Sequence, residues 1–208
     1  MSPESSARLL VLHGLRLKGF CEAPGVATLV GLSEADVTEQ LEGLQSEGLV
    51  LHRDGRLTGW ALTPAGRAAQ EIALKDELDA TGARDDILGA YKRFLDLNTD
   101  LLTICTAWQM KNETTLNDHA DAAYDAGVID QLRALHRKLE PILDDLEATL
   151  PRYHGYRPRF DTALGNVGAG DIDWFAKPLI DSYHTVWFQL HEDLLTTLGI
   201  ERSQEGTS

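Results

Sequence analysis

Two cysteines in 208 residues, Cys21 and Cys105, are too few and too widely separated for a disulfide framework or a thiolate metal site. Free thiols in a reducing cytoplasm are the expectation. Aromatic residues make up only 7% of the chain. No apolar run approaches the roughly 20 residues that cross a bilayer, and no basic-then-apolar segment of the secretory kind opens the chain. Cations are scarce too, 19 Lys and Arg against 33 Asp and Glu, for a formal net charge of −14. That deficit excludes nucleic-acid binding by bulk charge, so any phosphate contact must come from a few focused groups. Catalytic signatures are missing as well: there is no Ser/His/Asp or Cys/His constellation. The Gly165 to Gly170 stretch lacks the preceding strand and the lysine of a phosphate loop, and reads as a turn. The chain is not expected to be an enzyme.

The acidity is uneven. Residues 1 to 75 hold seven Lys and Arg against nine Asp and Glu, a net −2, and residues 76 to 208 hold twelve against twenty-four, a net −12. The near-neutral first part also carries the clearest pattern. Arg8 to Phe20 reads as a helix through Leu9, Leu12 and Leu15, and Pro24 to Val30 as a short second one before a turn at Gly31-Leu32. Ser33 is a good N-cap, Asp36 reaches back as in a capping box, and Val37, Leu41 and Leu44 fall at i, i+4 and i+7. Gly48 suits a left-handed cap, after which Leu49 to Leu51 and Thr58 to Leu62 read as two short strands around an Asp54-Gly55 turn. Thr63-Pro64 opens a further helix, expected to run unbroken to Thr81 and stop at Gly82.

In that order the Glu47-Gly48-Leu49-Val50 and Leu62-Thr63-Pro64-Ala65-Gly66-Arg67 segments resemble the winged helix-turn-helix domain of MarR- and PadR-type regulators over about residues 5 to 75. The resemblance implies a homodimeric transcriptional regulator that binds double-stranded DNA, with the third helix in the groove and the hairpin as wing. The third helix is awkward for that role. With Val37, Leu41 and Leu44 inward, its opposite face is Ala35, Glu39, Glu42, Gly43 and Ser46, flanked by Thr38 and Gln45, and no cation appears on it. Candidate DNA contacts are therefore Arg8, Arg16 and Lys18 on the first helix, Thr38 and Gln45 on the third, and His52, Arg53 and Arg56 on the wing. The alternative is a non-enzymatic adaptor whose acidic helix docks a basic protein surface.

Residues 76 to 200 read as an all-helical effector and dimerisation domain, so the fold class is mainly α: a winged helix-turn-helix followed by an all-α bundle. Ile87, Tyr91, Phe94, Asn98, Leu101, Cys105 and Trp108 repeat in a 3-4 pattern, as do Val128, Leu132, Leu135, Leu139, Ile142, Leu146 and Leu150. Pro141 is expected to kink or break the second of these near Glu140 and Pro151 to end it. A helix from about Pro158 to Val167 and a last one from Pro178 follow, with residues 201 to 208 as a disordered tail. Arg152 to Arg159 is the one basic aromatic run of the acidic half and reads as a solvated loop between helices.

Asn98 in an otherwise apolar stripe needs a partner, which an internal group, a dimer contact or a ligand can supply. With Trp108, Tyr183, His184, Trp187 and His191 it is the candidate lining of an effector pocket, aromatic walls with a few polar handles. No cofactor is expected. His119, Asp181, His184 and His191 are the candidates for a divalent metal, since imidazoles and a carboxylate inside a bundle can hold one. A soluble, cytoplasmic protein with no membrane partner is the expectation.

Overall fold

The computed structural model describes residues 5–201, and the expected tail at 202–208 lies outside them. It is mainly helical, with two two-stranded antiparallel sheets. No helix of the described residues is long and apolar enough to cross a membrane. The chain divides into two compact units. Of the described residues, the first comprises those up to 85 with two later segments, 149–155 and 189–201, and the second comprises 86–148 and 156–188. The boundary expected at residue 75 falls inside a helix, because that helix runs unbroken from Pro64 to Thr81.

In the first unit, α1 (Ala7–Lys18), α2 (Ala23–Val30) and α3 (Glu34–Ser46) precede the hairpin of β1 (Val50–Arg53) and β2 (Gly59–Leu62), and α4 (Pro64–Thr81) follows. The caps are the expected ones. Ser33 Oγ accepts from Asp36 N at 3.1 Å and donates to the Asp36 carboxylate at 2.6 Å. Thr63 Oγ1 accepts from Gly66 N at 3.0 Å, and Gly82 closes α4 in the left-handed conformation, φ 67°. Val37, Leu41 and Leu44 are fully buried and pack with Val11, Leu12 and Leu15 of α1, Val26 of α2 and Val50 of β1.

The hairpin departs from the two-residue turn expected at Asp54-Gly55. Val50 pairs with Leu62 and Arg53 with Gly59, which leaves the five residues 54–58 as a loop. Burial of Val50 fixes that register, since a one-residue slip would turn it to the other face. Cys21 adds a bridge on the free edge of β2, exchanging backbone hydrogen bonds with Trp60 at 3.1 and 2.8 Å.

The second unit contains most of α5 (Arg84–Gln109), a short hairpin of β3 (Met110–Asn112) and β4 (Thr115–Leu116), and α6 (Ala122–Thr149). It continues with α7 (Tyr156–Gly168), α8 (Asp173–Ala176) and the start of α9 (Tyr183–Leu198), whose residues from Gln189 belong to the first unit. The β3-β4 hairpin falls between the two leucine-striped helices, in a half that reads from sequence as almost entirely helical. Asn112 Oδ1 builds its turn, accepting from the backbone N–H of Thr114 and Thr115 at 3.1 Å each.

Of the kink or break expected at Pro141, the break does not occur: α6 continues through it and stops before Pro151. It lies on the exposed side, while Leu139, Ile142, Leu143 and Leu146 bury the other side. One lost backbone bond is offset by that apolar face. α9 begins at Tyr183 rather than Pro178, because Ser182 caps it: its Oγ accepts from Thr185 N at 3.3 Å.

The Leu62-Thr63-Pro64-Ala65-Gly66-Arg67 exit has a steric cause at Gly66. Thr63 N and Oγ1 both hold the Leu49 carbonyl, at 3.0 and 3.1 Å, which draws the first turn of α4 onto the start of the hairpin. A Cβ on Gly66 would stand 1.9 Å from that oxygen. Gly66→Ala is expected to lower unfolding free energy by about 2 kcal/mol or more, as a forced overlap in a packed region does. Gly43→Ala, with nothing within 4 Å of the new Cβ, is the control that keeps wild-type stability or gains on it in the same urea titration.

Candidate nucleic-acid interface

α3 presents Glu34, Asp36, Glu39, Glu42, Gln45 and Ser46 to solvent, with Glu47 at its end and no cation. Thr38 is half-buried and spends its hydroxyl on the Glu34 carbonyl at 2.8 Å. The expected helpers on α1 are also engaged. Arg8 grips Glu47 through two nitrogens at 2.7 and 2.6 Å, a bidentate pair that raises the guanidinium pKa and lowers that of the glutamate. Arg16 meets Glu192 of α9 at 3.1 Å and Lys18 is half-buried, so α1 offers little free positive charge.

The hairpin differs. His52 tilts against the Trp60 ring at 4.6 Å between centroids, with Nδ1 3.4 Å from Asp54 Oδ2. Arg53 and Arg56 are exposed, and neither has an ion-pair partner among the described residues. Two unpaired guanidinium groups therefore stand at the tip of a hairpin that α1 and α3 hold in place.

Behind this surface the first unit encloses a group of charges that sequence reasoning missed. Arg152, read as part of a solvated loop, lies in a 3-10 turn (Pro151–Gly155) with its side chain only 2% exposed. Its Nε donates to Glu77 at 3.0 Å, Nη1 to Asp193 at 2.6 Å and Nη2 to Thr197 Oγ1 at 2.6 Å. Gln70 Nε2 lies 3.0 Å from His13 Nδ1, and His13 Nε2 lies 2.9 Å from Asp193 Oδ1. Tyr153, fully buried beside Arg152, donates to Thr197 at 3.3 Å. Five segments of chain thus meet on one arginine and two carboxylates: α1, α4, the 3-10 turn, α9 and, through Ser5 on Glu77, the lead into α1.

Burial opposes ionisation of Asp193, but His13 and Arg152 outweigh it and hold the carboxyl far below its ordinary range. Burial likewise opposes the charge on Arg152, and the negative groups around it keep its pKa raised. The available signal was a polar residue at each core position, His13 between Leu12 and Leu15 and Asp193 beside Leu194. Nothing in their spacing says that they meet.

The rest of the basic run is also paired. Arg157 meets Asp144 at 2.6 Å and Glu147 at 3.1 Å, and Arg159 meets Asp181 at 2.9 Å while lying over the Tyr156 ring. A solvated loop is replaced by helix because these carboxylates neutralise the arginines.

The expected effector pocket does not assemble from its six residues. Trp187 Nε1 donates to Asn98 Oδ1 at 3.0 Å, so the polar residue in the apolar stripe is satisfied internally. Trp187 stacks on Phe94 at 4.6 Å, Trp108 on Phe175 at 4.1 Å, and Tyr183 packs on Phe160 at 5.0 Å: the rings fill the space they were expected to line. His184 is exposed, whereas His191 is buried and belongs to the other unit.

The metal candidates are dispersed too. His119 pairs with Asp125 at 3.0 Å, Asp181 is taken by Arg159, and His184 and His191 lie about 10 Å apart along α9 at 1.5 Å per residue. No group of three or more His, Cys, Asp or Glu among the described residues is arranged to hold an ion.

Arg152→Met is expected to cost about 3–5 kcal/mol, because it leaves Asp193 and Glu77 buried without their cation. Since the Asp193 pKa is depressed on folding, its contribution is fully present above the unfolded value near 3.9 and is lost as pH falls. Urea midpoints of the wild type should therefore drop below about pH 5, and Asp193→Asn should flatten that drop.

No family model, curated protein or solved structure matches the chain.

Proposed function

We propose that this chain is a ligand-responsive transcriptional regulator, acting in the cytoplasm as a homodimer on double-stranded DNA, with residues 5 to 75 as a winged helix-turn-helix. The observation that carries the reading is the pair of exposed, unpaired arginines, Arg53 and Arg56, at the tip of a hairpin that follows three helices. Phosphate contacts need free cations, and the hairpin has them where α3 has none. In this reading the wing grips the backbone or the minor groove, and the α3 carboxylates lie near enough to phosphate to weaken binding by repulsion.

The acidity of α3 also favours a second reading. A helix face of Glu34, Asp36, Glu39 and Glu42, with Arg8 neutralised by Glu47, suits a basic protein surface better than a duplex, and the module is then an adaptor without DNA. The two readings separate on the same reagents.

Charge reversal of Arg53 and Arg56 to Glu should abolish duplex retardation of the native operator while leaving the circular dichroism spectrum unchanged, since both side chains are exposed. Retained retardation would move the contact elsewhere. Replacement of Glu39 and Glu42 by Gln should strengthen binding to random duplex at low salt, by about threefold or more, through loss of repulsion. An unchanged affinity there would place α3 away from DNA, and a lost interaction with a basic protein partner would support the adaptor.

A further inference from the structure

The aromatic rings of the second unit pack on one another, whereas the first unit holds open space bordered by charge. A cleft of about 610 Å3 is bounded by Arg16 of α1, Glu71 and Lys75 of α4, Arg84 at the head of α5, and Glu192 and Glu201 at and beyond α9. Its size falls within the roughly 300–1,000 Å3 of sites for small organic ligands. Leu195 and Ile200 supply apolar wall.

Three cations and three carboxylates face this space, and the protein satisfies most of them itself. Arg16 Nη2 meets Glu192 at 3.1 Å, Lys75 holds Asp79, and Arg84 Nη1 donates to the Leu198 carbonyl at 3.1 Å. Two groups are left short. The Nε–H of Arg16 is buried with no acceptor, and Glu71 has no ion-pair partner, each among the described residues. An unmet buried donor costs free energy of the order of 1–3 kcal/mol, so a carboxylate that draws the Arg16 guanidinium toward the cleft and satisfies Nε recovers that cost.

A simple anion would answer Arg16 but stand among the Glu71 and Glu201 carboxylates. A simple cation would answer Glu71 and face Arg16 and Arg84. A molecule carrying both signs meets both.

We propose that this cleft binds a small zwitterion of the α-amino-acid type, with its carboxylate on Arg16, its ammonium toward Glu71 and its side chain against Leu195 and Ile200. The site supplies an effector class for the regulator reading and rests on that reading only for its effect on DNA. The route to such an effect is short. Thr197 lines the cleft and accepts from Arg152, while Arg16 lies one turn beyond His13, so an occupant touches the segments that the buried charges join.

The test is thermal denaturation of the full chain with the standard free L-amino acids, each added singly, followed by calorimetric titration. At least one should raise Tm in a dose-dependent way, while its N-acetyl and its amide derivatives at equal concentration should not. Arg16→Lys keeps a charge opposite Glu192 but removes the Nε donor, and should weaken Kd about tenfold or more. Glu71→Gln, at an exposed position, should do the same without loss of stability. The proposal is overturned if no amino acid shifts Tm, if the N-acetyl or the amide form stabilises as well as the parent, or if both substitutions leave Kd unchanged. An amino acid that binds in this way yet leaves duplex affinity untouched upholds the site and removes the regulatory reading instead.

Discussion

The contact of Arg152 with Asp193 and Glu77 is the constraint on which the first unit depends. Each of these groups alone would be costly to bury, and the three together are tolerable only because every charge faces its opposite at hydrogen-bonding distance. Geometry then dictates architecture. Glu77 comes from α4, Arg152 from a turn after α6 and Asp193 from α9, so the pairing requires the 151–155 turn and the later part of α9 to return to the unit that holds α1 to α4. The first 75 residues are therefore not a self-contained unit in this protein, although their own helices and hairpin follow local rules.

That dependence ties chemistry in the interior to geometry at the surface. His13 lies in the helix that packs on α3, and α3 in turn packs on β1. A change in how α9 or the 151–155 turn engages the buried charges would reach α1 through His13, and α1 and α3 pack against the hairpin that carries the two arginines. A ligand that distinguishes two such arrangements would shift DNA affinity by its differential binding and by no more than that.

What was legible in the sequence was whatever local chemistry decides. Ser33, Thr63, Gly48 and Gly82 announce helix ends because caps and left-handed glycines act within a few residues, and the leucine stripes of α5 and α6 announce burial through their period. Whatever needed a partner far along the chain was hidden. Arg152 looked like solvent-facing charge in a basic run because its two carboxylates are 75 and 41 residues away. The aromatic set was read as a pocket lining because its composition suits one, and only the stacking of Trp108 on Phe175 and Trp187 on Phe94 shows the volume to be filled. At Pro141 the local rule against proline is outweighed by the buried leucines on either side of it, and the helix does not break there.

In the proposed regulator, free charge on the hairpin, and little else, holds this acidic protein on DNA. The salt dependence of duplex binding measures that directly. With two arginines from each of two protomers on phosphate, log K against log salt concentration should fall with a slope of about −3 to −4. A duplex that fails to bind even at low ionic strength would contradict the account, and a slope near zero would contradict it as firmly.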